Sequence, residues 1–278
     1  MIIFRNMIQH LRPEAHRVLD WIYSISSFRF ALLTCGFFVA FSWLGTILAR
    51  PFLRAFVKQR DSVNDLVGYM LSCFGVFYGL LLGLLAVAAY QNFRDVENVV
   101  TGEASSLSAL VTDVLAYPDP DRTNLVWNLR DYTRDLLEIA WPNQQKGIVS
   151  KEGDFTLDAF HERLIRFEPS TAGQEIMHAE TLKQYNQYLE KRQQRVLAVS
   201  TSIPPIMWVV VLVGALMNIT LIWLFDMRLM SHLFLGGMLS SFLGMMIFLI
   251  ASLDNPFRGE ISISAEPFAQ IHTRLMEE

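Results

Sequence analysis

Histidine and cysteine are the residue types most ready for metal binding or nucleophilic catalysis, and this 278-residue chain has six of the first and two of the second. Their spacing does not organise them. His161-Glu162 lacks a second histidine at the distance a zinc helix needs, and His178 with Glu180 stands alone. Cys35 and Cys73 each fall inside an apolar run, where a free thiol packs as a small hydrophobe. There is no phosphate-binding glycine loop, no nucleophile elbow and no dinucleotide fingerprint. The reading is therefore of a protein that is not an enzyme, with no metal and no cofactor. A net charge of −4 gives no basis for a nucleic-acid partner.

The informative spacing is apolar. Gly75, Gly79 and Gly83 recur at every fourth position, a doubled small-xxx-small pattern that lets another helix approach closely. The adjacent stripe Val76, Leu80 and Leu84 is wholly apolar. If several copies of this helix surround an axis, the stripe forms a hydrophobic constriction that gates by dewetting. On a single chain it is a packing or lipid-facing surface, and spacing alone leaves both readings open. A second run, Asp254-Asn255-Pro256-Phe257-Arg258-Gly259, packs turn formers, charge and one aromatic into six positions. Pro256 and Gly259 set a tight turn, and Asp254 and Arg258 are spaced to pair across it.

These residues need elements to hold them. The chain is 52% hydrophobic and 18% charged, against about 25% charged for a typical soluble domain. The deficit is concentrated in four stretches, near 30–49, 66–90, 203–225 and 231–253, each long enough to cross about 30 Å of hydrocarbon. The fold class is an all-α integral membrane protein with four transmembrane helices and a helical soluble domain inserted between the second and third. Residues 1–28 form an amphipathic segment, with Phe4, Ile8, Leu11, Ala15 and Val18 at helical spacing and arginines elsewhere. It lies on the membrane or packs on protein, and it is too charged for a secretory leader. Residues 29–90 hold helices one and two, 91–202 the soluble domain, 203–253 helices three and four, and 254–278 a turn and short helix. Trp208 and Trp223 near the ends of the third span suit interface anchors.

In the soluble domain the second span runs on to about residue 116, where Tyr117-Pro118-Asp119-Pro120 stops it. Asp119 is read as the cap of a helix with Pro120 at its first position, ended by Trp141-Pro142-Asn143. A short helix near 157–167 follows. Thr171 and Gln174 have capping-box spacing and open a long helix towards Val199. Ile261 and Ile263 are the only trace of strand alternation.

The spans lack Asp, Glu, Lys, Arg and His in their central parts, which argues against ion-coupled transport. Asn218 is the strongest polar residue there, suited to an interhelical hydrogen bond. Gly237, Ser240, Ser241 and Gly244 give the fourth span its own close-packing face. Four spans put both termini and the 91–202 domain on one side. Arg5, Arg12, Arg17, Arg29, Arg94, Lys191, Arg192, Arg195 and Arg258 on that side outnumber Arg50, Arg54, Lys58, Arg60 and Arg228 on the other. That places the termini and the domain in the cytoplasm, although the basic 50–60 loop weighs the other way.

The chain resembles the bacterial bestrophin-like membrane family. The likeness rests on the run from Gly79-Leu80-Leu81-Leu82 to Tyr90, on Glu103-Ala104 and Leu107, on Ile203-Pro204, and on Leu253-Asp254-Asn255-Pro256-Phe257-Arg258-Gly259-Glu260 with Pro267-Phe268. It covers most of the chain from the second span onwards. A more distant likeness is to the bestrophin anion channels. That resemblance implies a homo-oligomer, a pentamer, in a lipid bilayer, passing anions such as chloride. It makes Val76, Leu80 and Leu84 pore-lining. A bacterial inner-membrane location follows from it. Two departures bear on this. The Tyr-x-Arg-Trp-Trp run of bestrophins is replaced by Tyr90-Gln91-Asn92-Phe93-Arg94, and Glu260 is followed by Ile261-Ser262-Ile263-Ser264 where animal bestrophins have acidic calcium ligands. Calcium gating is not expected. The alternative reading is a non-conducting membrane scaffold or sensor whose soluble helices bind a partner.

Overall fold

The four charge-poor stretches fold as long helices. The computed structural model describes residues 25–56, 60–149 and 154–277, so the amphipathic segment up to residue 24 lies outside the described residues. Among the described residues the chain is helical, with no strand. In chain order the helices are α1 (Ser27–Phe56), α2 (Arg60–Val114), α3 (Asp121–Asp135), α4 (Trp141–Gln145), α5 (Asp154–Arg166), α6 (Ala172–Ala198), α7 (Pro205–Trp223), α8 (Leu229–Asp254) and α9 (Glu266–Glu277). Helices α1, α2, α7 and α8 are long and apolar enough to cross a bilayer. This is a membrane protein.

The chain divides into two compact units: residues up to Asn92 with Ser202–Asp254, and Phe93–Thr201 with Asn255–Glu278. From Asn255 onwards the C-terminal turn and short helix belong to the second unit. Helix α2 contributes to both units.

In the first unit the close approaches are made by glycine. Gly244 of α8 lies so near α1 that a Cβ there would come within 2.8 Å of the Cys35 Cα, and one at Gly237 would meet the Trp43 indole at 3.0 Å. Cys35 Sγ also lies 3.5 Å from the Ser241 carbonyl. The small-residue face of the fourth span therefore packs on α1. Trp223 fills the place a side chain at Gly45 would take and donates its indole N–H to the Ser42 carbonyl at 3.0 Å. Trp208 Nε1 donates to Asp254 Oδ2 at 3.2 Å. Both indole N–H groups thus bond within the protein. Asn218 turns back on its own helix, its Nδ2 donating to the Gly214 carbonyl at 2.9 Å, and not across to another span.

In the second unit, Val96, Val100, Ala104, Leu107, Val111 and Val114 recur at helical spacing along α2 and are buried against α3, α5, α6 and α9. Helix α3 begins one residue later than the capping pattern suggests. Pro120 takes the cap position, and Asp119 accepts from Arg122 and from Thr123 Oγ1 at 2.8 Å. Trp141-Pro142-Asn143 does not end the helical path, contrary to expectation. The five residues Leu136–Ala140 form a π-turn in which the Trp141 N–H reaches back to the Leu136 carbonyl. The widened turn takes up the register that Pro142 disrupts, and α4 starts with proline in its first turn, where a missing N–H costs nothing. At α6 the Thr171 hydroxyl accepts from the Gln174 N–H at 3.2 Å.

Candidate functional site

Helix α2 is 55 residues long. At 1.5 Å per residue it extends about 80 Å, more than twice the hydrocarbon thickness. Nothing in its sequence interrupts it, because neither proline nor a turn-forming pair occurs between residues 60 and 114. One face of its membrane half is buried through Tyr78, Leu82, Leu85 and Ala89. Tyr78 is the anchor. Its ring fills the space beside Gly214 of α7, and its hydroxyl donates to the Val211 carbonyl at 2.8 Å.

The apolar stripe lies on a different face. Val76 is 71% exposed, Leu80 60% and Leu84 63%, so no helix among the described residues covers them. Among the described residues, a Cβ on Gly75, Gly79 or Gly83 would also meet no atom within 4 Å. Gly75 and Gly79 border a cleft of about 230 Å³ that also contains Asn218 and Ser240. Among the described residues this helix therefore leaves its stripe and its glycine flank open.

The run from Asp254 at the end of α8 is held by local hydrogen bonds. Asp254, nearly buried, accepts the Ile203 N–H on Oδ1 at 2.5 Å and Trp208 Nε1 on Oδ2. It joins the end of α8 to the entry of α7, where Pro204 and Pro205 cannot donate. Asn255 and Pro256 offer carbonyls to the N–H groups of Arg258 at 3.0 Å and Ile263 at 2.9 Å. Gly259 has φ +84°, a left-handed conformation that glycine adopts without strain. Phe257 is buried with its ring 5.6 Å from Trp141, and the Arg258 side chain lies beside Gly147.

One constellation escaped the sequence reading. Arg195 of α6 and Glu103 of α2 are fully buried and joined by two hydrogen bonds, Nε to Oε2 at 2.6 Å and Nη2 to Oε1 at 3.1 Å. Nη1 donates to Gln144 Oε1 at 2.6 Å, and the guanidinium lies 5.7 Å from the Trp141 ring centroid and 5.8 Å from that of Phe268. Burial opposes the charge on Arg195, and Glu103 more than restores it, so its pKa lies above the ordinary arginine value. Beside it Tyr188 donates to Tyr132, and burial holds both phenols above their usual range. A signal existed. Glu103 shares the apolar face of Val96, Val100 and Leu107, and Arg195 falls in register with Tyr185 and Tyr188. Among the described residues no group of three or more His, Cys, Asp and Glu is placed to hold a metal ion.

The model of the bestrophin-like domain matches residues 36–268. The chain belongs to the bestrophin-like family. This bestrophin-like chain is similar in structure to a bacterial bestrophin homologue from Klebsiella pneumoniae. The form phased with zinc superposes with a TM-score of 0.64 at 13% identity, over 88% of this chain and 97% of that one. A point mutant gives 0.64 at 14% identity, over 87% and 97%. A mutant of a protein described only as a membrane protein gives 0.65 at 15% identity, over 90% and 97%. No curated protein matches the sequence. At these identities the structural likeness is one of fold.

Proposed function

We propose that this bestrophin-like protein is an oligomeric channel passing anions, with α2 of each copy lining the pore and Val76, Leu80 and Leu84 forming its apolar neck. The observation that carries the reading is the exposure of this stripe on a helix otherwise anchored by Tyr78 and Leu82. An apolar stripe open along one face of a spanning helix suits an axis shared between copies, where a narrow apolar ring controls passage by wetting. The open Gly75, Gly79 and Gly83 flank supplies the surface on which a neighbouring copy packs. Five copies follow the family likeness. On this reading the chain lies in the bacterial inner membrane, with its termini and the soluble domain of residues 91–202 in the cytoplasm.

The test is ion flux through vesicles reconstituted with the purified protein, beside its oligomeric mass in detergent. A ring oligomer with anion flux supports the proposal. A monomer, or a ring that passes no ion in any variant of Leu80 or Leu84, leaves the spans as the anchor of a scaffold or sensor.

A further inference from the structure

The open face of α2 does not stop at Leu84. Spacings of three and four residues continue it through Val87, Gln91, Arg94, Asn98, Thr101 and Ser105 of the same unbroken helix, and each of these is exposed. Alternating three and four residues is the register by which a helix keeps one seam towards a common axis. The seam is apolar up to Val87 and polar from Gln91 onwards. Along it, Arg94 is the one charged side chain.

We infer that Arg94 sets the charge selectivity of the pore, giving a ring of guanidinium groups, one per copy, that holds small monovalent anions at the inner end of the apolar neck. The inference rests on the channel reading above. Its physical basis is that like charges brought to one axis add their potentials, and that a constriction with low-dielectric walls focuses the field. Two carboxylates oppose this. Arg94 Nη1 lies 2.5 Å from Glu97 Oε2, with both side chains about half exposed. Glu97 sits three residues on and off the seam, and an exposed pair at that spacing is weak. The guanidinium therefore remains available to an anion on the axis, and Glu97 tempers its field. Asp95, also exposed, stands four residues after Gln91 and three before Asn98, at the edge of the same face, and its carboxylate tempers the field as well.

The test is the reversal potential of the full-length protein in a planar bilayer across a potassium chloride gradient. Wild type reverses on the anion side. Arg94→Gln moves the reversal potential towards zero, Arg94→Glu carries it to the cation side, and Arg94→Lys keeps the wild-type sign. Glu97→Gln moves it further to the anion side, an opposite shift that loss of folding cannot produce. Currents in Arg94→Glu with an unchanged reversal potential would overturn the assignment of Arg94 and leave the channel standing. Absence of current in wild type and in neck-widened variants alike would overturn the channel and this inference together.

Discussion

Arg195 grips Glu103 through two nitrogens at a site where neither side chain reaches solvent. Two opposite charges removed from water are tolerable only as a pair, and each depends on the other to offset its desolvation. Gln144 and the rings of Trp141 and Phe268 complete the enclosure. Removing one partner leaves a buried charge with nothing opposite it. Glu103→Gln or Arg195→Met should destabilise the protein by about 3–5 kcal/mol. The check is the denaturant midpoint in detergent, with the double variant recovering part of the loss. An unchanged midpoint for both single variants would contradict the assignment.

The spanning helices were legible because their physics is collective. Some twenty consecutive apolar residues leave a chain few alternatives, and helix ends shift by a residue or two without consequence. The stripe at Val76, Leu80 and Leu84 was legible as a periodicity, while its exposure was not, because periodicity does not say which face meets a neighbour. Glu103 and Arg195 were hidden for a different reason. They lie 92 residues apart, and although each falls on the inward face of its own helix, spacing does not say that the two faces meet. The path through Pro142 was misjudged because a π-turn, which nothing local announces, carries the helix past it.

The glycines divide into two classes with opposite expected effects. A methyl at Gly214 would meet the Tyr78 ring at 2.3 Å, and one at Gly244 the Cys35 backbone at 2.8 Å. Gly244→Ala and Gly214→Ala should each cost about 1–3 kcal/mol through overpacking. A methyl at Gly79 meets nothing within 4 Å among the described residues. It should leave the monomer intact and act on the association of copies. Thermal unfolding beside size-exclusion mass separates the classes, and an oligomer indifferent to Gly79→Leu would remove that flank from the interface.

Asp254 accepts from the Ile203 N–H and from Trp208 Nε1, one donor on each oxygen. In Asp254→Asn one of the two donors would face an amide nitrogen, which cannot accept. The loss of charged hydrogen bonds should amount to about 1.5–3 kcal/mol. A lowered thermal midpoint in both Asp254→Asn and Asp254→Ala, with Trp208→Phe milder, is the expected pattern.

One pH dependence can be given a sign. Burial lowers the pKa of His178, and burial first of all raises that of Tyr117, whose hydroxyl lies 2.7 Å from His178 Nδ1. A protonated phenol facing a neutral imidazole satisfies both shifts. Because the folded pKa is below the unfolded value near 6.5, the unfolded chain takes up the proton first as pH falls. This contribution is therefore intact above about pH 6.5 and declines as pH drops from there towards the lowered folded value. Thermal midpoints at pH 8 and pH 5.5 should fall less in His178→Gln than in wild type, and equal falls would contradict it.

The central claim is that the exposed stripe of α2 faces a conducting axis, and the single-channel conductance of the reconstituted oligomer tests it most directly. Replacing Leu80 or Leu84 by alanine removes bulk from the neck without touching the face anchored by Tyr78, so conductance or open time should rise in both. Conduction that is absent from wild type and both variants, or present and unaltered in both, would contradict it.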